Sequence, residues 1–240
     1  MSDPRPISQR LKDDNWRLHQ IAERTPGPAT LMHGEVTREV YARLLRETLP
    51  VARALDAKVR AAREAEPRLR ELIADDQMQA ENIAADLAFL GEPAEPLPMD
   101  DLPPGTRRLL VRIEERGSDP FWTLGMHYVR TGATNGNHYL AGRLRRVLGL
   151  GTEADRQAGT RYLDPFGTQQ RFVWGAFKTT LDAIAFTEEE KDLVFEGTRD
   201  AFLYAINLTE AEHRAEEELL AAHAAGLDKA EFDAHHAPAH

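Results

Sequence analysis

Apolar residues along this chain recur at helical spacing almost throughout, and long alternating Val/Ile/Thr runs do not occur. A strand needs that alternation to bury one face of a sheet, so the chain is confined to packing helix against helix. An all-α fold is expected. Hydrophobic residues make up 42% of the 240, enough for one large core or two modest ones, and no internal repeat or compositional break divides the chain. We expect a single multi-helical bundle of eight or nine helices within residues 1–224, with a flexible Ala/His-rich tail at 225–240.

The first helix is expected over 7–23, with Leu11, Leu18 and Ile21 on one stripe, until "RTPGPATLMHG" breaks it. Thr37 is a good N-cap for a long helix in which Pro50 predicts a kink or a joint. Short helices near 67–75 and 78–90 precede the proline-rich loop "GEPAEPLPMDDLPPG". Then come "TRRLLVRIEER", a helix starting near Pro120, a turn around Gly149 and Gly151, the aromatic loop "RYLDPFGTQQ" and a helix over 169–184. Thr187 with Glu190 forms a capping box that opens a last helix, expected to reach about residue 222.

A net charge of −10 argues against nucleic acid or an anionic membrane surface as a general partner. No apolar run approaches the roughly 20 residues needed to span a bilayer. The first residues carry no apolar signal-peptide core, so a cytoplasmic location is expected. Cysteine is absent, which removes disulfides, thiolate metal ligands and cysteine nucleophiles.

The stretch "GMHYVRTGATNGNHYLAGRL" at 125–144 reads as a helix, one expected to kink because it holds Gly125, Gly132, Gly136 and Gly142. Each interior glycine costs a helix about 1 kcal/mol relative to alanine. At about 100° per residue, Gly125, Gly132 and Gly136 fall within roughly 40° of one another. Such a stripe admits either a tightly packed neighbouring helix or a flat ligand. His127 and His138 project roughly opposite to it and read as packing or surface histidines. A second site is "NWRLHQIAERTP", where His19 and Glu23 stand one turn apart. A carboxylate there can orient an imidazole and make it a better metal ligand, although an exposed pair has the same spacing.

Several segments resemble the heme oxygenase family, in its biliverdin-producing bacterial form. "LKDDNWRLHQIAERTP" is similar to the family's N-terminal heme-binding helix, and "GEVTREVYARLL" to its next helix. "AADLAFLG", "HYVRTGATNGNHYLAGRL" and "FVWGAFKTTLDAIAFTEEEKDLVFEGTRDAFLYAINL" follow the family's later segments in the same order. The resemblance implies that His19 is the proximal ligand to heme iron, with Glu23 as its partner. It implies that Gly132 and Gly136 let the distal helix lie over the porphyrin, and that Lys12 and Lys178, with Arg171 as an addition, meet the heme propionates. Phe202 is then a pocket wall.

The implied activity is oxidative opening of heme at a meso carbon to biliverdin, with release of CO and iron. Heme is both cofactor and substrate there, and the reaction draws on O2 and an electron donor such as ferredoxin or a flavoprotein reductase. The distal helix departs from the bacterial pattern: Thr131 replaces a glutamate, Asn135 a leucine and Asn137 a glycine, and Ala133 stands where mammalian forms carry aspartate. Those departures bear on proton delivery and make Asn135 a candidate catalytic residue beside the glycines. A heme carrier or sensor without turnover is the alternative. A non-heme di-iron oxygenase is a weaker one, since 120–152 contains no Asp or Glu and the chain offers one Glu-x-x-His pair, Glu210/His213, with Asp233/His236 at the same spacing in the expected tail.

Overall fold

The computed structural model of the chain describes residues 4–24, 31 and 36–205, without the side chains of residues 21, 23, 24, 204 and 205. Among the described residues there are eight α-helices and no strand. They are α1 (Ile7–Asp14), α2 (Trp16–Arg24), α3 (Arg38–Ala65), α4 (Ala80–Leu90), α5 (Pro104–Arg116), α6 (Pro120–Leu148), α7 (Gln170–Ala183) and α8 (Glu188–Ala205).

The helix expected over 7–23 is two helices. Asn15 divides them: its side-chain amide turns back to donate to Leu11 O at 2.9 Å, satisfying a carbonyl that the ended helix leaves open. Leu11 and Leu18 are fully buried, as their spacing requires. In α3, Thr37 accepts from Val40 N as the expected cap. Pro50 lies within this helix without dividing it, so the expected joint is not there. The segment expected as one short helix near 67–75 is two single turns, Pro67–Leu69 and Asp75–Gln77.

α6 keeps all four interior glycines in one 29-residue helix. Asp119 starts it by accepting from Phe121 N and Trp122 N, and Gly149 ends it in the left-handed region at φ 61°. Thr187 and Glu190 form the expected reciprocal capping box, with bonds of 3.2 and 2.9 Å. The continuation expected to about residue 222, the pairs at 210–213 and 233–236, and the tail all lie outside the described residues.

The core has two halves joined through α3 and α6. One gathers Leu55, Val59, Trp122, Leu124, Phe177, Leu181 and Val194. The other gathers Tyr41, Leu45, Leu49, Ile83, Leu87, Leu140 and Leu144. α6 packs most extensively on α8 and also rests on α3 and α7. The α6–α8 crossing is closed by glycine on both sides: a Cβ on Gly125 would collide with Val194 O, and one on Gly197 with Trp122 O.

Candidate functional site

The glycine face of α6 is not one continuous ligand surface. At Gly125 the neighbour is the backbone of α8; an added Cβ would also stand 2.6 Å from Thr198 N. One third of the stripe therefore answers to helix packing. At Gly132 the neighbour is an indole, and a Cβ would lie 3.2 Å from the Trp174 ring. At Gly136 a Cβ would meet nothing within 4 Å.

The Trp174 ring is held from several sides. It stacks on Phe177 at 5.6 Å and 18°, and tilts against Tyr128 at 5.2 Å. Lys178 Nζ stands 5.5 Å over it. The Tyr128 hydroxyl donates to Ser8 O at 3.2 Å. Burial, with Asp182 and Asp13 adding to it, pushes that phenol up to about 12, so it remains a donor at neutral pH. Ser8 in turn donates from its backbone N–H and its hydroxyl to Asp182 at 2.9 and 2.7 Å. These bonds pin α1, α6 and α7 together at one end of the glycine face. Lys12 is exposed in the last turn of α1, which packs on α7.

His19 is exposed on α2. Its imidazole is stacked on Trp16 at 5.7 Å and 8°, and Phe202 of α8 meets it edge-on at 6.1 Å. α2 rests on α8. The side chain of Glu23 lies outside the described residues. Arg171 stands about two helical turns before Lys178, in an open cleft with Asn135 and His138. Asn135 folds its amide back to donate to Gly132 O at 3.1 Å.

Behind α6 lies a polar network that spacing alone does not disclose. Arg130 is paired with Asp56 of α3 at 2.5 Å, and both side chains are almost fully buried. Asp56 also accepts from Gln79 N and Ala80 N, so the same carboxylate caps α4. Arg130 donates to His127 Nδ1 at 3.0 Å, which leaves the imidazole proton on Nε2 to be donated to Gln77 Oε1 at 2.8 Å. Burial, with Arg130 second, holds His127 well below its ordinary pKa and therefore neutral.

His127 is thus the packing histidine its position suggests. His138 is half-exposed and bonded through Nδ1 to buried Asp164 at 2.8 Å. The one sequence signal for the network is Asp56 itself, an acid set in the apolar stripe of Ala52, Leu55 and Val59. Among the described residues no group of three or more His, Asp or Glu side chains could hold a metal ion. Nor is any described helix long and apolar enough to cross a membrane.

An all-helical domain whose central helix carries glycines on one face defines the class of protein. The chain belongs to the heme oxygenase family, whose model matches residues 5–211. Solved structures share the fold. Heme oxygenase from Leptospira interrogans superposes with a TM-score of 0.70 at 20% identity, over 85% of this chain and 98% of that one. Heme oxygenase-1 from the cyanobacterium Synechocystis sp. PCC6803, in complex with heme, gives 0.70 at 14% identity, over 92% and 99%. Heme oxygenase-2 from Synechocystis sp. PCC 6803, in complex with heme and NO, gives 0.70 at 20%, over 95% and 91%. No curated protein matches the chain at a significant level.

Proposed function

We propose that this protein is a heme oxygenase that opens heme at a meso carbon to biliverdin, releasing CO and iron. The observation that carries the reading is the open space over Gly136, on a helix whose earlier glycine is taken up by packing. Within a heme oxygenase fold, that is where a flat ligand can approach the backbone. The described residues fit the group. An exposed imidazole on α2, aromatic flanks and cations on α1 and α7 suit a planar iron macrocycle with two carboxylates.

Bound heme supplies the iron and is itself the ring that is opened. His19 holds the iron, and Trp16 and Phe202 fix the plane of its imidazole. Glu23, one turn on, is assigned as its carboxylate partner. Lys12 and Lys178 neutralise the propionates. Gly136 would let the ring approach the α6 backbone, and Gly132 would seat the Trp174 indole beside it. Asn135 holds a polar amide at the edge of that face, where the bacterial pattern has leucine. Arg171 lines the cleft beside Asn135 rather than the Trp174 contact. Electrons come from an external donor such as ferredoxin or a flavoprotein reductase.

Reconstitution with hemin is expected to give a Soret band, and addition of ascorbate or a ferredoxin–reductase system to give bilin absorbance. His19→Ala is expected to lose the iron–histidine spectrum, while His138→Ala retains it. No Soret shift overturns the heme reading. A Soret shift with no bilin transfers the protein to the carrier or sensor class, a reading that Thr131, Ala133 and Asn135 favour by leaving the distal helix without a carboxylate.

A further inference from the structure

Gly132 and Gly136 stand about 6 Å apart along α6 and on one face of it, yet their surroundings differ. A Cβ on Gly136 would meet nothing within 4 Å, whereas one on Gly132 would stand 3.2 and 3.3 Å from two atoms of the Trp174 indole. Carbon atoms pack best at about 3.5–4.0 Å. Glycine at 132 is therefore what lets the indole settle against the helix backbone.

That indole is fixed by its neighbours. Phe177, three residues on, stacks on it at 5.6 Å and is itself 3% exposed, with the buried His127 ring edge-on to it at 5.7 Å. Lys178, four residues on, holds its ammonium 5.5 Å over the indole. Tyr128 meets it at 5.2 Å and is tied through its hydroxyl to Ser8 O. Moving the indole off Gly132 gives up an aromatic stack, a tilted pair and a cation–π contact together.

The consequence concerns how a ring sits, and it rests on the heme oxygenase reading. A porphyrin is wider than one helical turn, so a ring lying on the backbone at Gly136 extends toward Gly132. There it meets the edge of an indole instead of bare backbone.

We propose that Trp174 is a specificity-determining residue of this site: its indole stops the ring short of Gly132, fixes the seating of heme along α6 and shields the meso edge that abuts it. Opening then falls on an edge away from Trp174. Because the Lys178 ammonium rests over the same indole, propionate pairing and ring seating are coupled through one side chain.

The full chain is reconstituted with hemin, and the ferric cyanide complex is followed by proton NMR, whose heme methyl resonances report seating without turnover. At equilibrium the parent should show one dominant set. Trp174→Ala should change the pattern and populate a second set; Trp174→Phe, which keeps an aromatic ring on Phe177, should do so to a lesser degree. With ascorbate, the ratio of biliverdin isomers should shift by about tenfold or more in Trp174→Ala. Gly132→Ala forces the indole to move and should weaken hemin binding by about tenfold in the parent, but not where Trp174 is already alanine. Circular dichroism and melting confirm that each variant is folded. A methyl pattern unchanged in both Trp174 variants overturns the proposal. So does equal weakening by Gly132→Ala in both backgrounds, because the ring would then rest on Gly132 itself. A parent without a Soret band fails the heme reading and this inference with it; a Soret band without bilin leaves the methyl pattern to decide.

Discussion

Three glycines on one helical face do three different things, and stability measurements can separate them. Gly136 has open space where its Cβ would go, so Gly136→Ala gains helix propensity without a clash. We expect the heme-free protein to be stabilised by up to about 1 kcal/mol, while Gly136→Leu weakens hemin binding without loss of stability. Gly125→Ala drives a methyl into the backbone of α8 and should cost at least about 2 kcal/mol. Urea midpoints of the two alanine variants provide the comparison; equal midpoints would refute this division of the face. Helical arithmetic shows that the three residues share a direction. It cannot show what lies in that direction, because Val194, Thr198 and Trp174 arrive from 42 to 73 positions along the chain.

At the scale of elements, what was legible depended on whether the cause was local. The Thr187–Glu190 box and the Thr37 cap lie within four residues of the bonds they make, and both stand where the sequence puts them. The break at Asn15 was not legible, because an asparagine in an amphipathic run fits a continuous helix until its amide turns onto Leu11 O. The joint expected at Pro50 is absent: the buried run Leu45, Leu49, Ala52 and Leu55 continues across it, so α3 passes unbroken from one half of the core to the other. The Asp56 network was hidden for the same reason as the glycine neighbours: three separate elements build it.

Asp56 joins α3 to α6 through Arg130 and to α4 through the amides at its start. Asp56→Ala therefore strands a buried guanidinium and uncaps a helix together. The expected loss is about 3–5 kcal/mol, read from chemical denaturation. The double variant Asp56→Ala/Arg130→Met should recover much of that loss, because it removes the stranded charge. If Asp56→Ala alone costs less than about 1 kcal/mol, the pair behaves like an exposed ion pair and the network does not organise the three helices.

Across the whole molecule, two buried groups set opposing responses to pH. Asp86 fastens the loop before α7 to α4 by accepting from Arg161 N and Tyr162 N at 2.8 and 2.9 Å. Burial outweighs those donors and pushes its carboxyl up to about 7, whereas an unfolded aspartate titrates near 3.9. Between about pH 4 and 7 the folded chain thus holds a proton the unfolded chain has lost, so this group makes stability fall as pH rises. His127 acts in the other direction. Its folded pKa lies well below the ordinary value, so below about pH 6.5 the unfolded chain takes up a proton that the folded chain refuses. Its contribution is lost as pH falls.

Over their shared window, from about pH 4 to 6.5, the two slopes oppose each other in the parent protein. Removing either one exposes the other. His127→Gln keeps an acceptor for Arg130 and a donor for Gln77 while abolishing the titration; its melting temperature should rise, relative to the parent, on acidification below pH 6.5. Asp86→Asn should melt progressively lower than the parent over the same acidification. Thermal melts of the heme-free protein from about pH 4.5 to 8 measure both. If the two variants follow the parent's profile in parallel, neither group is titrating as its burial requires, and the pH response belongs to the exposed charges instead.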